Sequence, residues 1–274
     1  MKKQSLTALK YCLLSVLAGC FLFPLYCMIT AALKPGSEVF KTPPTWIPSQ
    51  FVWSNFSRVF TIAPLYPRWV LNTFIVSAVV TVVALYLHAM AAYSLARLRY
   101  PGRRVIFYLI ISTLMIPVTS VLIPRFVIIR AFGWVNTYWG LIIPAIPHAF
   151  GIFFLHQFYI QLPRELEEAA IIDGCSPAGV FFRIVLPLSR SEFAALAVFF
   201  FLANWNSYLW PLLVVQTPQL KTLQLGLAGF VGPYDNPWGS LMAANTIATI
   251  PALLLFFVLQ RQLMSSITMT GLKG

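Results

Sequence analysis

Apolar residues run along this chain in blocks near twenty residues long, and the stretches between them carry most of the charge. About 20 apolar residues in a helix match the roughly 30 Å hydrocarbon layer of a bilayer, so blocks of this length predict transmembrane helices. Six are read, at approximately 11–33, 70–96, 105–129, 138–160, 191–215 and 241–260. The third block holds Pro117 and Pro124, and the fourth holds Pro144 and Pro147. Prolines within spans kink helices and free backbone carbonyls, which membrane proteins tolerate along cavities and helix contacts. The fold class expected is an all-α integral membrane protein with six transmembrane helices.

Composition strengthens that reading. Of 274 residues, 59% are hydrophobic and 9% charged, and the mean hydropathy is +0.80. A soluble domain of this size needs far more polar surface. The net charge of +12 does not point to nucleic acid, because the basic residues form no stripe or arm and sit between the apolar blocks. With a cytoplasmic N-terminus, twelve of the nineteen Lys and Arg residues fall inside, among them Lys2, Lys3, Lys10, Arg164 and the cluster Arg97, Arg99, Arg103 and Arg104. The other seven, Lys34, Lys41, Arg58, Arg68, Arg125, Arg130 and Lys221, count as outside. Both termini are therefore expected in the cytoplasm.

The run from Tyr11 to Leu33 contains Leu17-Ala18-Gly19-Cys20, which looks like a lipoprotein cleavage box. The run continues well past Cys20 and suits a retained span better than a signal segment. Cys12, Cys20 and Cys27 fall near one face of that helix and read as packing residues, while Cys175 lies in a polar loop. His88, His148 and His156 have no acidic companions within their spans, so packing or a backbone hydrogen bond is expected of them rather than a metal. Two outer segments are long: 34–69, with Pro43, Pro44, Trp46, Pro48 and Trp53, and 216–240, with Phe230, Gly232, Pro233, Tyr234, Pro237 and Trp238.

Segment 161–190 differs from the rest of the chain. Four of the seven acidic residues, Glu165, Glu167, Glu168 and Asp173, fall within nine positions. Pro163 starts a helix well, the glutamates favour its positive end, and Gly174 supplies a stop. Ser176-Pro177 then reads as the cap and first position of a second short helix, which Pro187 ends. The charge cluster alone fits a solvated face. The spacing does more: Glu168-Ala169-Ala170, three residues, Gly174, nine residues, then Ile184-Val185-Leu186-Pro187 resembles the EAA signature of ABC import permeases.

The resemblance extends over nearly the whole chain. Leu33-Lys34, Pro44-Thr45-Trp46-Ile47-Pro48, Asn72-Thr73, Ala91-Ala92-Tyr93, Trp205-Asn206 with Leu209-Trp210-Pro211, and the terminal Gly271-Leu272-Lys273-Gly274 look like the second permease of the maltose-type carbohydrate importers. Ser207 departs from it, standing where many relatives carry an acidic or amide residue. The resemblance implies a type I ABC importer permease fold in a bacterial cytoplasmic membrane. It implies docking of the two short helices in a groove of an ATPase subunit, through Glu168, Ala169, Ala170, Asp173, Gly174, Ile184, Leu186 and Pro187. It further implies a second permease subunit in a heterodimer, two ATPase subunits and an extracytoplasmic solute-binding protein. The domain division expected is an N-terminal helix and outer segment at 1–67, a permease core at 68–261 with coupling loop 161–190, and a cytoplasmic tail at 262–274.

No phosphate-binding Gly-x-x-x-x-Gly-Lys-Ser/Thr loop occurs, so no cofactor is expected on this chain, and ATP and Mg belong to the partner ATPase. No catalytic constellation and no metal site are read. Polar groups within the spans are the candidates for a solute path: Asn72, Ser77 and Thr81, then Asn204, Asn206 and Tyr208, then Asn245, Thr246 and Thr249. The competing role for each is interhelical hydrogen bonding. The function expected is an ATP-driven import permease for a sugar or sugar-like solute, with polyols and glycerol phosphates open as solutes. The rival is a stand-alone channel or secondary carrier.

Overall fold

The protein is described here by a computed structural model that covers residues 2–230 and 237–270; Gly232, Pro233, Tyr234 and the terminal Gly271 to Gly274 lie outside the described residues. Among the described residues every regular element is a helix, and there is no strand. Four stretches, Leu9–Ala32, Tyr66–Arg97, Tyr138–Gln161 and Trp238–Leu263, are long and apolar enough to cross a membrane. Two more candidates are bent pairs: Arg103–Met115 with Val118–Ala131, turned by 99°, and Pro177–Leu188 with Arg190–Trp205, turned by 75°. Counting each bent pair as one span gives the six that the apolar blocks predict.

The third and fifth blocks differ from straight spans, and proline is the reason. Helix α4 (Arg103–Ser112) ends in a 3-10 turn before Pro117, and Ile116 is extended at φ −85° and ψ 118°. A residue preceding proline is pushed out of the helical region, so the chain turns there. Pro124, by contrast, sits in the first turn of α5 (Leu122–Ala131), where its missing amide is not needed. In the fifth block α11 (Arg190–Trp205) stops short and α12 (Leu209–Val214) starts afresh. The ring of Pro211 excludes a helical carbonyl at Ser207, four residues earlier, and the helix opens at 206–208. Tyr138–Gln161 keeps its prolines between α6 (Tyr138–Ile142) and α7 (Ala149–Gln161), joined through a 3-10 turn at Ile143–Ala145.

The chain divides into two compact units. One comprises residues 1–67 and 226–251. It holds α1 (Lys2–Ala32), α2 (Ser54–Ile62) and the first half of α14 (Trp238–Thr270). Buried Asn55 organises it: its amide donates to Ala32 O and Lys34 O, each at 2.9 Å, and so fixes the exit from α1. Gly239 lies against that amide, where a Cβ would come within 2.5 Å of Nδ2. Tyr66 donates to Ala244 O at 2.7 Å, and Phe40 meets Trp238 edge to face. Ser49 donates to the Glu38 carboxylate, which holds that carboxyl below its ordinary range. Cys12 and Cys20 are exposed along α1, so the packing expected of them does not occur within this unit.

The other unit comprises residues 68–225 and 252–274 and carries the remaining helices, α3 (Tyr66–Arg97) through α13 (Leu223–Leu227). Its larger core joins α3, α7 and α11 through Leu85, Ala89, Tyr93, Leu155, Tyr159, Leu196 and Phe200. Gly151 allows the close approach, since a Cβ there would meet His88 Nδ1 at 2.5 Å and Phe200 Cζ at 2.6 Å. His88 Nε2 accepts from the His148 amide at 3.2 Å, and His156 stacks on Phe107. A second cluster gathers Val76, Val80, Ile129, Leu141, Trp210 and Val214.

Candidate coupling surface and solute cavity

The acidic segment folds as helix, turn, helix. In α8 (Glu165–Ile172) the three glutamates occupy the first turn. At its other end Cys175 N donates to Ala170 O at 2.9 Å, Gly174 N donates to Ile171 O at 3.0 Å, and Gly174 has φ +85°. This is a Schellman cap, which favours glycine at its left-handed position. Ser176 then accepts from Gly179 N at 3.1 Å and caps α9 (Pro177–Val180). A π-turn at Phe181–Val185 leads into α10 (Leu186–Leu188), so Pro187 lies inside the last short helix rather than after it. A wide turn is one way a helix absorbs the amide that proline lacks.

This element has two faces. Ala170, Val180, Phe181 and Val185 are buried in the α3–α7–α11 core. Glu168, Ala169, Asp173, Gly174 and Pro187 are exposed, and Ile184 and Leu186 are half-buried. Ile172 is 85% exposed, and Ile171 and Phe182 are also exposed on the same loop. One acid points the other way. Glu167 Oε1 pairs with Arg97 Nε at 2.8 Å, and Tyr93 donates to Glu167 Oε2 at 3.2 Å. Arg97 also donates to Leu162 O. The sequence reading missed this cluster, because nothing in the spacing joins positions 97 and 167; the Arg97–Arg104 charge cluster was the only trace.

One cavity of this unit has a volume of about 590 Å³, within the range of small-molecule sites. Its polar lining includes Arg125, His148, Asn204, Ser207, Thr73 and Thr222. Of the path candidates on α3, α11 and the break after it, Asn204 lines this cavity and Asn72, Asn206 and Tyr208 do not. Asn204 Nδ2 donates to Phe200 O at 2.8 Å, which leaves its Oδ1 to accept. Buried Asn72 donates to Gln219 O and Lys221 O, each at 2.9 Å, and accepts from Tyr138 at 2.6 Å, tying the turn after α12 to α3. Trp69 and Thr73 add bonds to Pro218 O and from Leu223 N. Asn206 accepts from Gln224, Tyr208 is largely exposed, and Asn245, on α14 in the other unit, donates to Leu241 O. Among the described residues no group of three or more His, Cys, Asp or Glu is placed to hold a metal ion.

The chain matches a family described as binding-protein-dependent transport system inner membrane component over residues 89–268. It is similar to the arabinooligosaccharides transport system permease protein of Halalkalibacterium halodurans, 38% identical over 254 residues that cover 92% of this chain and 91% of that one. It is 36% identical over 248 residues to the sn-glycerol-3-phosphate transport system permease protein of Pectobacterium atrosepticum, covering 88% of each. A solved structure of a bacterial ABC transporter involved in the import of the acidic polysaccharide alginate superposes with a TM-score of 0.82, at 21% identity, covering 95% of this chain and 97% of that one.

Proposed function

Because the chain belongs to the family of inner membrane components of binding-protein-dependent transport systems, we propose that it is the permease subunit of an ATP-driven importer for a sugar or sugar-like solute. The α8–turn–α9 element carries this reading. It is sealed to the spans on one face by Ala170, Val180 and Phe181, and it presents Glu168, Ala169, Ile172 and Asp173 on the other. Glu168 offers a carboxylate to a cation on the ATPase, a charge-assisted contact. The small side chain of Ala169 lets another backbone approach closely, and Ile172 enters an apolar groove.

On this reading the energy comes from partners: ATP and Mg are bound by two ATPase subunits, and this chain catalyses no reaction and holds no cofactor. A second, different permease completes the path, and an extracytoplasmic binding protein delivers the solute. The transport core spans 68–261 with coupling loop 161–190, after an N-terminal span and outer segment at 1–67 and before a tail at 262–274. The chain is multi-pass in a bacterial cytoplasmic membrane with both termini inside. The names of the relatives support oligosaccharides and glycerol phosphate as solute classes.

The test is purification of the tagged chain in mild detergent from cells making its natural partners, with mass identification of what accompanies it. A second permease and an ATPase in stoichiometric amounts are expected. Glu168→Lys is expected to lower both uptake and solute-stimulated ATP hydrolysis while expression persists. A chain that emerges alone and still transports in vesicles overturns the reading in favour of a stand-alone carrier.

A further inference from the structure

Arg125 lies on α5, the second arm of the bent third span, and its guanidinium sits 4.3 Å over the ring of Trp210. Among the described residues it makes no hydrogen bond or ion pair, and the one ion pair there is Arg97 with Glu167. A cation within a membrane span is costly, and where one persists it faces a partner or a path. The cavity supplies that setting. Arg125 is the only Lys, Arg, Asp or Glu in its lining. The platform is rigid: Trp210 is buried, and its indole nitrogen donates to Gly140 O at 2.9 Å. A guanidinium held by a ring face and by no hydrogen bond keeps its N–H donors free, in a fork that fits a carboxylate or phosphate. Thr222 is only 3% exposed, lines the same cavity, and its hydroxyl has no hydrogen-bond partner among the described residues.

We propose that this cavity is an anion-reading subsite of the solute path, in which Arg125, held over the ring of Trp210, takes the carboxylate or phosphate of an acidic sugar or sugar phosphate. Asn204 Oδ1 and the Thr222 hydroxyl take the hydroxyls of the same solute, and the apolar wall at Leu122 and Pro147 covers its C–H face. The proposal rests on the permease reading and narrows its solute class. The sequence counts Arg125 with the outer charges, and only the bend before Pro117 brings it onto the cavity wall.

The experiment uses the full complex in phosphatidylcholine nanodiscs, with saturation-transfer NMR titration of two probe pairs: glucuronate against glucose, and glycerol 3-phosphate against glycerol. Losing a charge-assisted hydrogen bond changes affinity roughly ten- to hundredfold. The charged member of each pair is therefore expected to bind at least about tenfold more tightly. Arg125→Gln abolishes that preference, while Arg125→Lys, which keeps the charge, retains part of it. Native mass spectrometry in nanodiscs containing phosphatidylglycerol separates a lipid source of the anion from a soluble one. Retention of that lipid through Arg125 without binding of either soluble anion overturns the proposal, as does equal affinity for charged and neutral probes. A complex that hydrolyses ATP yet fails this test leaves the permease reading standing. A chain that purifies without an ATPase overturns that reading instead, and its anion preference is then read by the same titration.

Discussion

Replacing Glu167 separates a load-carrying contact from a solvated acid. The Arg97 and Glu167 side chains are 6% and 15% exposed and meet at 2.8 Å. Removing one partner of a buried pair costs about 3–5 kcal/mol, because the other charge is left uncompensated. The partial exposure of Glu167 and the remaining bond from Arg97 to Leu162 O put the expected cost of Glu167→Gln near the lower end, about 3 kcal/mol. The substituted amide still has an oxygen for Tyr93, but its N–H donors face a guanidinium that only donates. Removing both charges tests the cause: Arg97→Met with Glu167→Leu leaves no orphaned ion and is expected within about 1.5 kcal/mol of the native chain.

Two measurements follow on the purified complex. Thermal unfolding in detergent is expected to fall clearly for Glu167→Gln and to recover largely in the double variant. In proteoliposomes Glu167→Gln is expected to keep hydrolysing ATP while solute uptake per ATP drops, because α8 remains docked but no longer pulls on α3. A single variant with native melting and native uptake per ATP refutes the assignment. A double variant as unstable as the single one refutes the electrostatic reasoning, and packing of Tyr93 is then the cause.

Two further substitutions test neighbouring parts of the unit. Gly174→Val forces a side chain into left-handed backbone at φ +85°, costing about 1–2 kcal/mol with no steric clash to blame; ATPase co-purification should weaken, Gly174→Asn should be milder, and an unchanged yield would contradict the cap. Asn72→Leu leaves the carbonyls of Gln219 and Lys221 and the Tyr138 hydroxyl without a partner, at about 1–3 kcal/mol for each group that water does not reach; limited proteolysis should cut within 217–222 faster, and an unaltered rate removes Asn72 from the role of clasp.

What the sequence made legible follows the range of the forces involved. Span length is a local property of hydropathy, so five of the six blocks begin within a few residues of the helices that hold them. Capping is equally local, which is why Gly174 and Ser176 were readable in their roles. Proline was read as a kink in the third and fourth blocks, and Pro117 does bend the third; Pro211 was not read that way, so the opening at 206–208, four residues before it, was missed. Helix α2 was missed because nine residues inside a polar, aromatic segment carry too little pattern. The Arg97–Glu167 and Arg125–Trp210 pairs join residues 70 and 85 positions apart, and only the packing of α3 with α8 and of α5 with α12 brings them together.

The acidic run looked like one solvated face, and the helix period splits it in two. Glu165, Glu168, Ala169 and Ile172 fall at spacings of three and four on the outward side of α8, while Glu167 and Ala170 point into the protein. On the proposed reading, a displacement imposed on the outward residues would reach α3 through an ion pair and a few close-packed side chains. After Pro67, α3 contains no proline or glycine and runs unbroken, so it behaves as a rod. From Arg97 to Trp69 that rod is about 40 Å long, and its far end holds the 218–223 turn through Trp69, Asn72 and Thr73. The third span, broken by 99°, would absorb such a push. The helix that touches the coupling element is the straight one, and the helix that lines the cavity with a cation is the bent one. On the proposed reading, that division would let motion pass along one span while the other shapes the space it opens.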